Sequence, residues 1–338
     1  MPHHINMEVL KSRIQRYLQD DAISLHSLDS FSNHVTYRVD SSFYGELLLR
    51  VAWAAVWSDG TRQYKEVSDF KMRSEVATMH YVKEHTTIPV PDVLFYDPDW
   101  DRKVGGEWML MRYIDGINPV YLWRTLTDDQ WEALCTSIAD IWSQLMRLRF
   151  KFVGSIYEQQ VESETGSIGS PEACMSGPFL SSRDWLIAIA NEKLEPIRRT
   201  IPDPDDEQAH KWREASIDAW KKSPLLDSDS CDHEQIVLSH IDYSLHNILV
   251  DRDDPTRVVA VVDWEGARTV PMSATSNGMR ERIVSQIPGW KFTIGDGGDV
   301  LRLLQARAEF SGCDPSMYNT GRPIRHKMSW IDVRCLIF

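Results

Sequence analysis

The sequence predicts an α+β protein with a small antiparallel sheet part and a larger, mostly helical part. Short β-branched and aromatic runs, separated by Gly, Ser and Asp, dominate roughly the first third of the chain. Apolar residues at helical spacing dominate most of the remainder, and one strand pair near its middle interrupts them. The 338 residues allow about two compact units. We place the division after residue 114, giving parts 1–114 and 115–338.

The composition indicates a folded, soluble chain. Apolar residues make up 42% and charged residues 26%, which excludes a disordered or collagen-like protein. No segment approaches the roughly 18 consecutive apolar residues of a membrane-spanning helix, so we expect no membrane association. The net charge of −13 disfavours nucleic acid as a partner and favours a neutral or cationic one.

The first residues and the cysteines indicate the compartment. The N-terminus lacks a basic start followed by an apolar run, and therefore resembles neither a signal peptide nor a transit peptide. The five cysteines are widely spaced and form no C-x-x-C pair, as expected for reduced thiols. We therefore expect a cytoplasmic protein without disulfides.

The pattern of the first part predicts alternating strands and helices. Helical spacing gives one amphipathic helix at the start and a second before a Pro-x-Pro break. Alternating apolar and β-branched residues between turn residues give the strands. The predicted elements are a helix over 7–18, strands over 36–39 and 46–56, a helix between 70 and 85, and strands over 93–96 and 107–114.

The second part is predicted to be helical apart from one hairpin. Helical spacing covers 131–148 and 185–197, and a further helix is predicted around 212–220. Within residues 236–262, two short apolar runs flank a turn rich in Asp and Pro and predict paired strands; the first ends at Val250 and the second covers 258–262.

Three polar side chains flank this hairpin. Asp242 and Asn247 precede its first strand, and Asp263 follows its second. Carboxylate and carboxamide oxygens suit Mg²⁺, and a nearby Asp can accept the proton of a hydroxyl. The simplest alternative is that these residues only cap turns. Their common spacing around two apolar strands favours a site, and phosphoryl transfer uses such a set of groups.

The pattern His240-x-Asp242-x-x-x-x-Asn247, followed by a strand and Asp263-Trp-Glu, resembles the catalytic loop and metal-binding Asp of protein-kinase-like folds. It is most similar to the aminoglycoside phosphotransferase and choline kinase family, and within it to fungal members. The resemblance covers about residues 25 to 272. Further stretches carry it in the family's order, namely Ser74–Val82, Ile88–Val93, Met109–Gly116, Gly154–Tyr157 and Gly177–Phe179.

The resemblance implies a two-lobed protein-kinase-like fold with an antiparallel-sheet N-lobe and a mostly helical C-lobe. ATP would lie in the cleft between the lobes. Asp242 would be the catalytic base or the group that orients the acceptor hydroxyl, and His240 would brace the loop. Asn247 and Asp263 would hold Mg²⁺.

The resemblance also assigns nucleotide-binding residues in the first part. Glu75 matches the acidic partner of the phosphate-binding base, and the candidate for that base is Arg50 where the family has lysine. Arginine keeps the charge but has a flatter, longer donor fork, so the replacement is not conservative.

Two further segments would contact the nucleotide. Ser32 and Asn33 lie where the family has its phosphate loop, although this loop lacks the glycines of protein kinases. Backbone groups around Arg112 and Ile114 would meet the adenine edge.

The sequence therefore predicts an ATP- and Mg²⁺-dependent phosphotransferase that acts on a hydroxyl of a small molecule. Aminoglycosides, choline, amino alcohols and secondary metabolites all remain open as acceptors. One alternative is a non-catalytic kinase-like binding or regulatory module, suggested by Arg50, the absent glycines and a divergent tail after residue 272. Another is a metal-dependent hydrolase with His240, Asp242 and His246 as zinc ligands.

Overall fold

The computed structural model describes residues 5–28, 34–52, 68–98, 104–122, 125–157, 167–169, 178–189, 211, 215, 235–272 and 274–275. Its helices are α1 (Met7–Leu18), α2 (Ser68–His85) and α3 (Asp128–Arg147). Its strands are β1 (Ser24–Ser27), β2 (His34–Ser41), β3 (Gly45–Ala52), β4 (Val93–Asp97), β5 (Trp108–Arg112), β6 (Ser155–Tyr157), β7 (Ser167–Gly169), β8 (Ile236–Ser239), β9 (Ile248–Val250), β10 (Val258–Val261) and β11 (Arg268–Pro271). Short 3-10 helices span Pro119–Tyr121 and Leu245–Asn247.

The chain divides into two compact units, and both are discontinuous in sequence. The first unit comprises Met1–Ile138, Tyr157–Gly166 and Ile241–Ala267. The second unit comprises Ala139–Ile156, Ser167–His240 and Arg268–Phe338. The division into lobes after residue 114 stays a prediction.

The first unit contains a five-stranded antiparallel sheet in the order β1-β2-β3-β5-β4. This confirms the antiparallel sheet predicted for the first part of the chain. The sequence analysis missed β1, because its Ser-Leu-His-Ser run has neither the length nor the β-branched residues that predict a strand. Among the described strands, β1 lies at one edge of the sheet and pairs with β2 alone.

The two faces of this sheet differ because successive side chains of a strand alternate between them. Leu47, Leu49 and Val51 of β3 are fully buried in a core that also contains Trp108 and Leu110 of β5. Apolar residues of α1 complete this core, namely Leu10, Ile14 and Leu18. By the same alternation, β3 directs Arg50 to the opposite face.

A buried carboxylate joins the end of α1 to the turn between β2 and β3. Asp20 Oδ2 accepts hydrogen bonds from Ser41 Oγ (2.7 Å), Ser42 N (2.8 Å) and Ser42 Oγ (2.9 Å). The bond from Ser41 is the main cause that lowers the pKa of Asp20 to about 2, from its ordinary 3.8. The turn is therefore held by the ionised form of Asp20.

Strands β9 and β10 form the predicted hairpin, which also lies in the first unit. Ile117 exchanges backbone hydrogen bonds with Val250, each 2.9 Å long. Gly116 approaches the hairpin so closely that a Cβ there would lie 2.9 Å from the Leu249 Cβ and 3.2 Å from the Val250 carbonyl oxygen. A side chain at residue 116 would thus push the hairpin away.

The second unit contains the antiparallel pair of β8 and β11. Its core includes Val153, Trp185, Ile236 and Val270. The sequence analysis did not predict β11, since its Arg-Thr-Val-Pro run is short and ends in proline.

The long helix predicted over 131–148 is confirmed by α3, and residues 182–189 are helical within the span predicted to begin at Trp185. Of the helix predicted around 212–220 the structure describes only residue 215, which is helical, and the tail after residue 275 lies outside the described residues. Among the helices that the structure describes, none is both long and apolar enough to cross a membrane. Cys135 carries a free thiol, and the other four cysteines lie outside the described ranges.

Candidate active site

The loop before β9 carries Asp242 and Asn247 and joins them directly. The Asn247 side-chain amide donates to the Asp242 carbonyl oxygen (2.8 Å) and to Asp242 Oδ2 (3.1 Å). Tyr243 anchors the loop to α3, because its buried hydroxyl donates to the Ile138 carbonyl oxygen at 2.9 Å. The Asp242 carboxylate therefore has a defined orientation set by Asn247.

Asn118 makes a second set of contacts with the loop. The Asn118 amide donates to the carbonyl oxygens of Leu245 (3.0 Å) and His246 (2.7 Å). His240 follows β8, is 2% exposed and belongs to the second unit. Its bracing role stays a prediction.

Asp263 lies at the same end of the β9–β10 hairpin as Asn247. The amide of Val262, its chain neighbour, donates to the Asn247 carbonyl oxygen at 2.9 Å. Asp263 has a φ of 61°, in the left-handed region that few residues other than glycine adopt. Trp264 fixes this turn, since it is fully buried and its indole donates to the Val261 carbonyl oxygen at 2.9 Å. The Asp263 side chain stays about half exposed, at 47%.

Arg50 and Glu75 form the predicted ion pair, and it is buried. The Arg50 guanidinium donates to Glu75 Oε2, and its second terminal nitrogen lies 3.6 Å from Asp263 Oδ1. Burial opposes the charge on Arg50, but Glu75, Asp263 and Glu107 outweigh it and raise the pKa of the guanidinium. Arg50 therefore stays charged and connects the sheet, α2 and the Asp263 turn.

Three further charged or polar residues surround this pair, and the sequence analysis did not single them out. Lys71, one helical turn before Glu75, forms an ion pair with Glu265. The His34 Nε2 atom lies 3.4 Å from Glu265 Oε2. Burial, together with Arg50 and Lys71, lowers the pKa of His34 to about 3, so this histidine is neutral near pH 7. The i, i+4 spacing of Lys71 and Glu75 was the available signal.

Of the other four predicted nucleotide-binding residues, the structure describes Arg112 and Ile114. The Arg112 amide donates to the Asp92 carbonyl oxygen (2.8 Å), and its guanidinium donates to the Tyr44 carbonyl oxygen. The expected adenine contact around Arg112 stays a prediction. Ile114 is partly buried, and Ser32 and Asn33 lie outside the described residues.

The donor set at the hairpin end fits Mg²⁺. The nitrogen of the Asn247 amide is committed to Asp242, so its oxygen is the atom that could ligate a metal. Asp263 adds a carboxylate that is open to solvent, and hard oxygens suit this ion. In contrast, no group of three or more His, Cys, Asp or Glu in the described part of the chain could hold a metal, so a zinc site at His240, Asp242 and His246 has no support.

Solved structures share this fold. A putative aminoglycoside phosphotransferase from Ralstonia eutropha has a TM-score of 0.54 at 15% identity, over 93% of this chain and 84% of its own. A streptomycin–ATP complex of APH(2")-IIa has a TM-score of 0.52 at 11% identity, over 98% and 96%. An aminoglycoside phosphotransferase APH(4)-Ia complex with ADP and hygromycin B has a TM-score of 0.51 at 16% identity, over 92% and 86%. The predicted α+β protein-kinase-like fold is therefore confirmed.

A family model described as the phosphotransferase enzyme family matches residues 26–274. The chain belongs to this family, as the resemblance of its motifs predicted.

Curated relatives are fungal and longer. A subtelomeric hrmA-associated cluster protein of Aspergillus fumigatus is 30% identical over 33% of this chain and 22% of its own length. The mitochondrial protein "Altered inheritance of mitochondria protein 9" is 29% identical in Meyerozyma guilliermondii, over 42% and 22%. The same protein is 24% identical in Zygosaccharomyces rouxii, over 51% and 28%. The matches thus span about a quarter of these relatives.

The relatives contradict the expected cytoplasmic location. Those from Meyerozyma guilliermondii, Zygosaccharomyces rouxii and Lodderomyces elongisporus are named as mitochondrial proteins. The expectation rested on the first residues of the chain. Because these matches cover less than a third of each relative, those residues carry no information about a leader segment.

Proposed function

We propose that the chain transfers the γ-phosphoryl group of ATP to a hydroxyl group of a small molecule, with Mg²⁺ as cofactor. One observation supports the proposal most directly: Asp242, Asn247 and Asp263 lie together at one end of the β9–β10 hairpin. The Arg50–Glu75 pair lies beside them. Family membership supports the phosphotransferase class.

In the proposed reaction, Asp242 acts on the acceptor. Its carboxylate, oriented by Asn247, accepts the proton of the hydroxyl while that oxygen forms a bond to the γ-phosphorus. The bond from the γ-phosphorus to its bridging oxygen breaks, and ADP leaves. The proton thus ends on Asp242, and solvent removes it before the next turnover.

Asn247 and Asp263 would hold the metal through one carboxamide oxygen and one carboxylate. The chemistry that Mg²⁺ supplies in such a site is neutralisation of charge on the phosphate oxygens. Arg50 keeps Asp263 close to Glu75 by its charge and thereby positions the carboxylate for this role.

The acceptor is proposed only as a class. Related folds are described in complexes with hygromycin B and streptomycin, which are polyhydroxylated amines. The net charge of −13 also favours a cationic acceptor. A screen should therefore begin with hydroxylated amines and include neutral alcohols for comparison.

The decisive variant is Asp242→Asn. It keeps the shape of the side chain and the contact to Asn247 but removes the base, so we expect turnover to fall by about 100-fold or more. Nucleotide binding should stay within about twofold of the unaltered protein, since Asp242 acts on the acceptor. Coupled ADP release and titration calorimetry measure the two effects.

The matched control is Asp253→Asn in the exposed turn of the same hairpin. It removes the same charge at a distance from the site and should leave both quantities unchanged. Full turnover in Asp242→Asn would refute the role of Asp242.

A second candidate function is nucleotide-dependent binding without transfer. It is favoured by Arg50 at the position of the family's lysine, and by curated relatives named for mitochondrial inheritance rather than for a reaction. This candidate predicts nucleotide binding with no ADP release across the acceptor screen. It also predicts that Arg50→Lys does not create turnover.

A further inference from the structure

Arg50 is occupied by two carboxylates. Its guanidinium donates to Glu75 and lies 3.6 Å from Asp263, and its side chain is only 10% exposed. A guanidinium held in this way is a structural connection between β3, α2 and the turn after β10. The lysine in this position of related enzymes has both an acidic partner and the nucleotide phosphates to contact. Because Arg50 already contacts two carboxylates, contact with the nucleotide phosphates needs another cation.

Lys71 provides a cation at the same face of α2. It lies one turn before Glu75, so both side chains project to the same side of the helix. Its ammonium group pairs with Glu265, two residues after Asp263. The Lys71 side chain is 32% exposed, about three times as much as that of Arg50. It is therefore both close to the metal-binding turn and accessible from solvent.

His34 places Lys71 near the start of β2. His34 begins β2, directly after residues 29–33, and its Nε2 atom is 3.4 Å from the carboxylate that Lys71 contacts. Burial is the largest cause of the low pKa of His34, and Arg50 and Lys71 add to it. The histidine is neutral near pH 7, so of the two side chains that contact Glu265 it is Lys71 that carries a positive charge.

We propose that Lys71 binds the phosphate groups of the nucleotide and so performs the phosphate contact of the lysine that β3 lacks. This inference rests on the proposed ATP-dependent function. A lysine ammonium is a compact charge on a flexible stem, so it can exchange the Glu265 carboxylate for a phosphate without rearrangement of α2. Charge-assisted hydrogen bonds to phosphate are among the stronger polar contacts of proteins.

The test compares nucleotides that differ only in their phosphates. Titration calorimetry in the presence of Mg²⁺ gives the Kd of ATP and of adenosine for the unaltered protein and for Lys71→Met. We expect the Kd of ATP to rise on the order of 10- to 100-fold, as for the loss of one charged hydrogen bond. The Kd of adenosine should not change, and Lys71→Arg should recover most of the ATP affinity.

Lys83→Met is the matched control. Lys83 lies in the last turn of the same helix and also pairs with a carboxylate, that of Asp92. Its loss should leave both Kd values unchanged. If Lys71→Met proves unfolded by thermal denaturation, Lys71→Gln replaces it with a polar side chain of similar length.

Two results would overturn the proposal. An unchanged Kd of ATP in Lys71→Met would show that Lys71 does not contact phosphate. Equal weakening of ATP and adenosine would show that Lys71 only shapes the fold. If the unaltered protein binds neither ligand, the proposed function itself fails, and this outcome is distinct from the other two.

Discussion

At the scale of single residues, the buried ion pair of Arg50 and Glu75 connects the parts of the candidate site. Glu75 is 3% exposed and receives the guanidinium of a side chain that is itself buried. A buried pair of this kind adds little net stability compared with apolar residues, but removal of one partner leaves an uncompensated charge. The pair therefore constrains which single substitutions the chain tolerates.

Arg50→Met should destabilise the protein strongly, because Glu75 then stays buried without a counter-charge. We expect a loss of about 3 to 5 kcal/mol in the free energy of unfolding, measured by urea denaturation. The double variant Arg50→Met, Glu75→Gln should recover much of that loss. Equal stability of the single and the double variant would contradict the role assigned to the pair.

Sequence reasoning singled out three polar residues beside the hairpin but missed some of the charged residues around them. Asp242, Asn247 and Asp263 are recognisable because their spacing around two apolar strands is local to one hairpin. Lys71 and Glu265 were missed, since they meet only when α2 packs beside a turn almost 200 positions later in the chain. No periodicity encodes a contact of that kind.

At the scale of elements, close backbone packing positions the hairpin. Gly116 lies against β9, with a hypothetical Cβ 2.9 Å from that of Leu249, and Ile117 bonds to Val250 on the same strand. The hairpin also bonds to the segment after α2, since the Val261 amide donates to the Pro89 carbonyl oxygen at 2.8 Å. These backbone contacts fix the hairpin that carries Asn247 and Asp263 at its end.

Gly116→Ala should force the hairpin away from this segment. We expect a loss of about 1 to 3 kcal/mol in the free energy of unfolding, typical of an overpacked contact, with weaker Mg·ATP binding. Gly45→Asn is the control, because a Cβ at residue 45 meets nothing within 4 Å and asparagine tolerates its positive φ. Equal stability of Gly116→Ala and the unaltered protein would mean that the hairpin is free to shift.

The turn between β2 and β3 should make stability depend on pH in acid. The pKa of Asp20 is lowered to about 2, so its ionised form stabilises the fold above the ordinary pKa of 3.8. This contribution is lost as the pH falls through about 2. Asp20→Asn should therefore have a lower urea midpoint than the unaltered protein at neutral pH, and the difference should narrow below about pH 4.

Asp21→Asn serves as the comparison, since this exposed neighbour makes no side-chain contact to the turn. Its urea midpoints should follow those of the unaltered protein at every pH. If the urea midpoints of Asp20→Asn and the unaltered protein differed by the same amount from neutral pH to pH 3, the stabilisation would come from the shape of the side chain and not from its charge.

At the scale of the whole molecule, nucleotide binding should depend on Mg²⁺. The site contains several carboxylates in a chain of net charge −13, so the bare polyphosphate is repelled. Mg·ATP at about 100 times its Kd should stabilise the fold by roughly 2.7 kcal/mol and raise Tm, whereas ATP with a chelator should raise it far less. An equal rise in both conditions would contradict metal binding at Asn247 and Asp263.

The fold class was predictable because the sequence patterns that indicate strands and helices occur along much of the chain. Four of the five strands of the sheet and the apolar stripes of α1 and α3 follow local periodicity, and these elements were predicted within a few residues. The grouping of Ile241–Ala267 with the N-terminal sheet depends on long-range contacts. The sequence analysis assigned this segment to the part 115–338 and did not indicate that grouping.

The discontinuity of the first unit has a consequence for biosynthesis. The ribosome releases the segment up to Ile138 well before Ile241–Ala267 emerges. At 5 to 20 residues per second this interval lasts on the order of ten seconds. During it, Gly116 and Ile117 have no hairpin to cover them, and Arg50 lacks Asp263. The proposed nucleotide site can therefore form only late in translation, once Ile241–Ala267 has emerged.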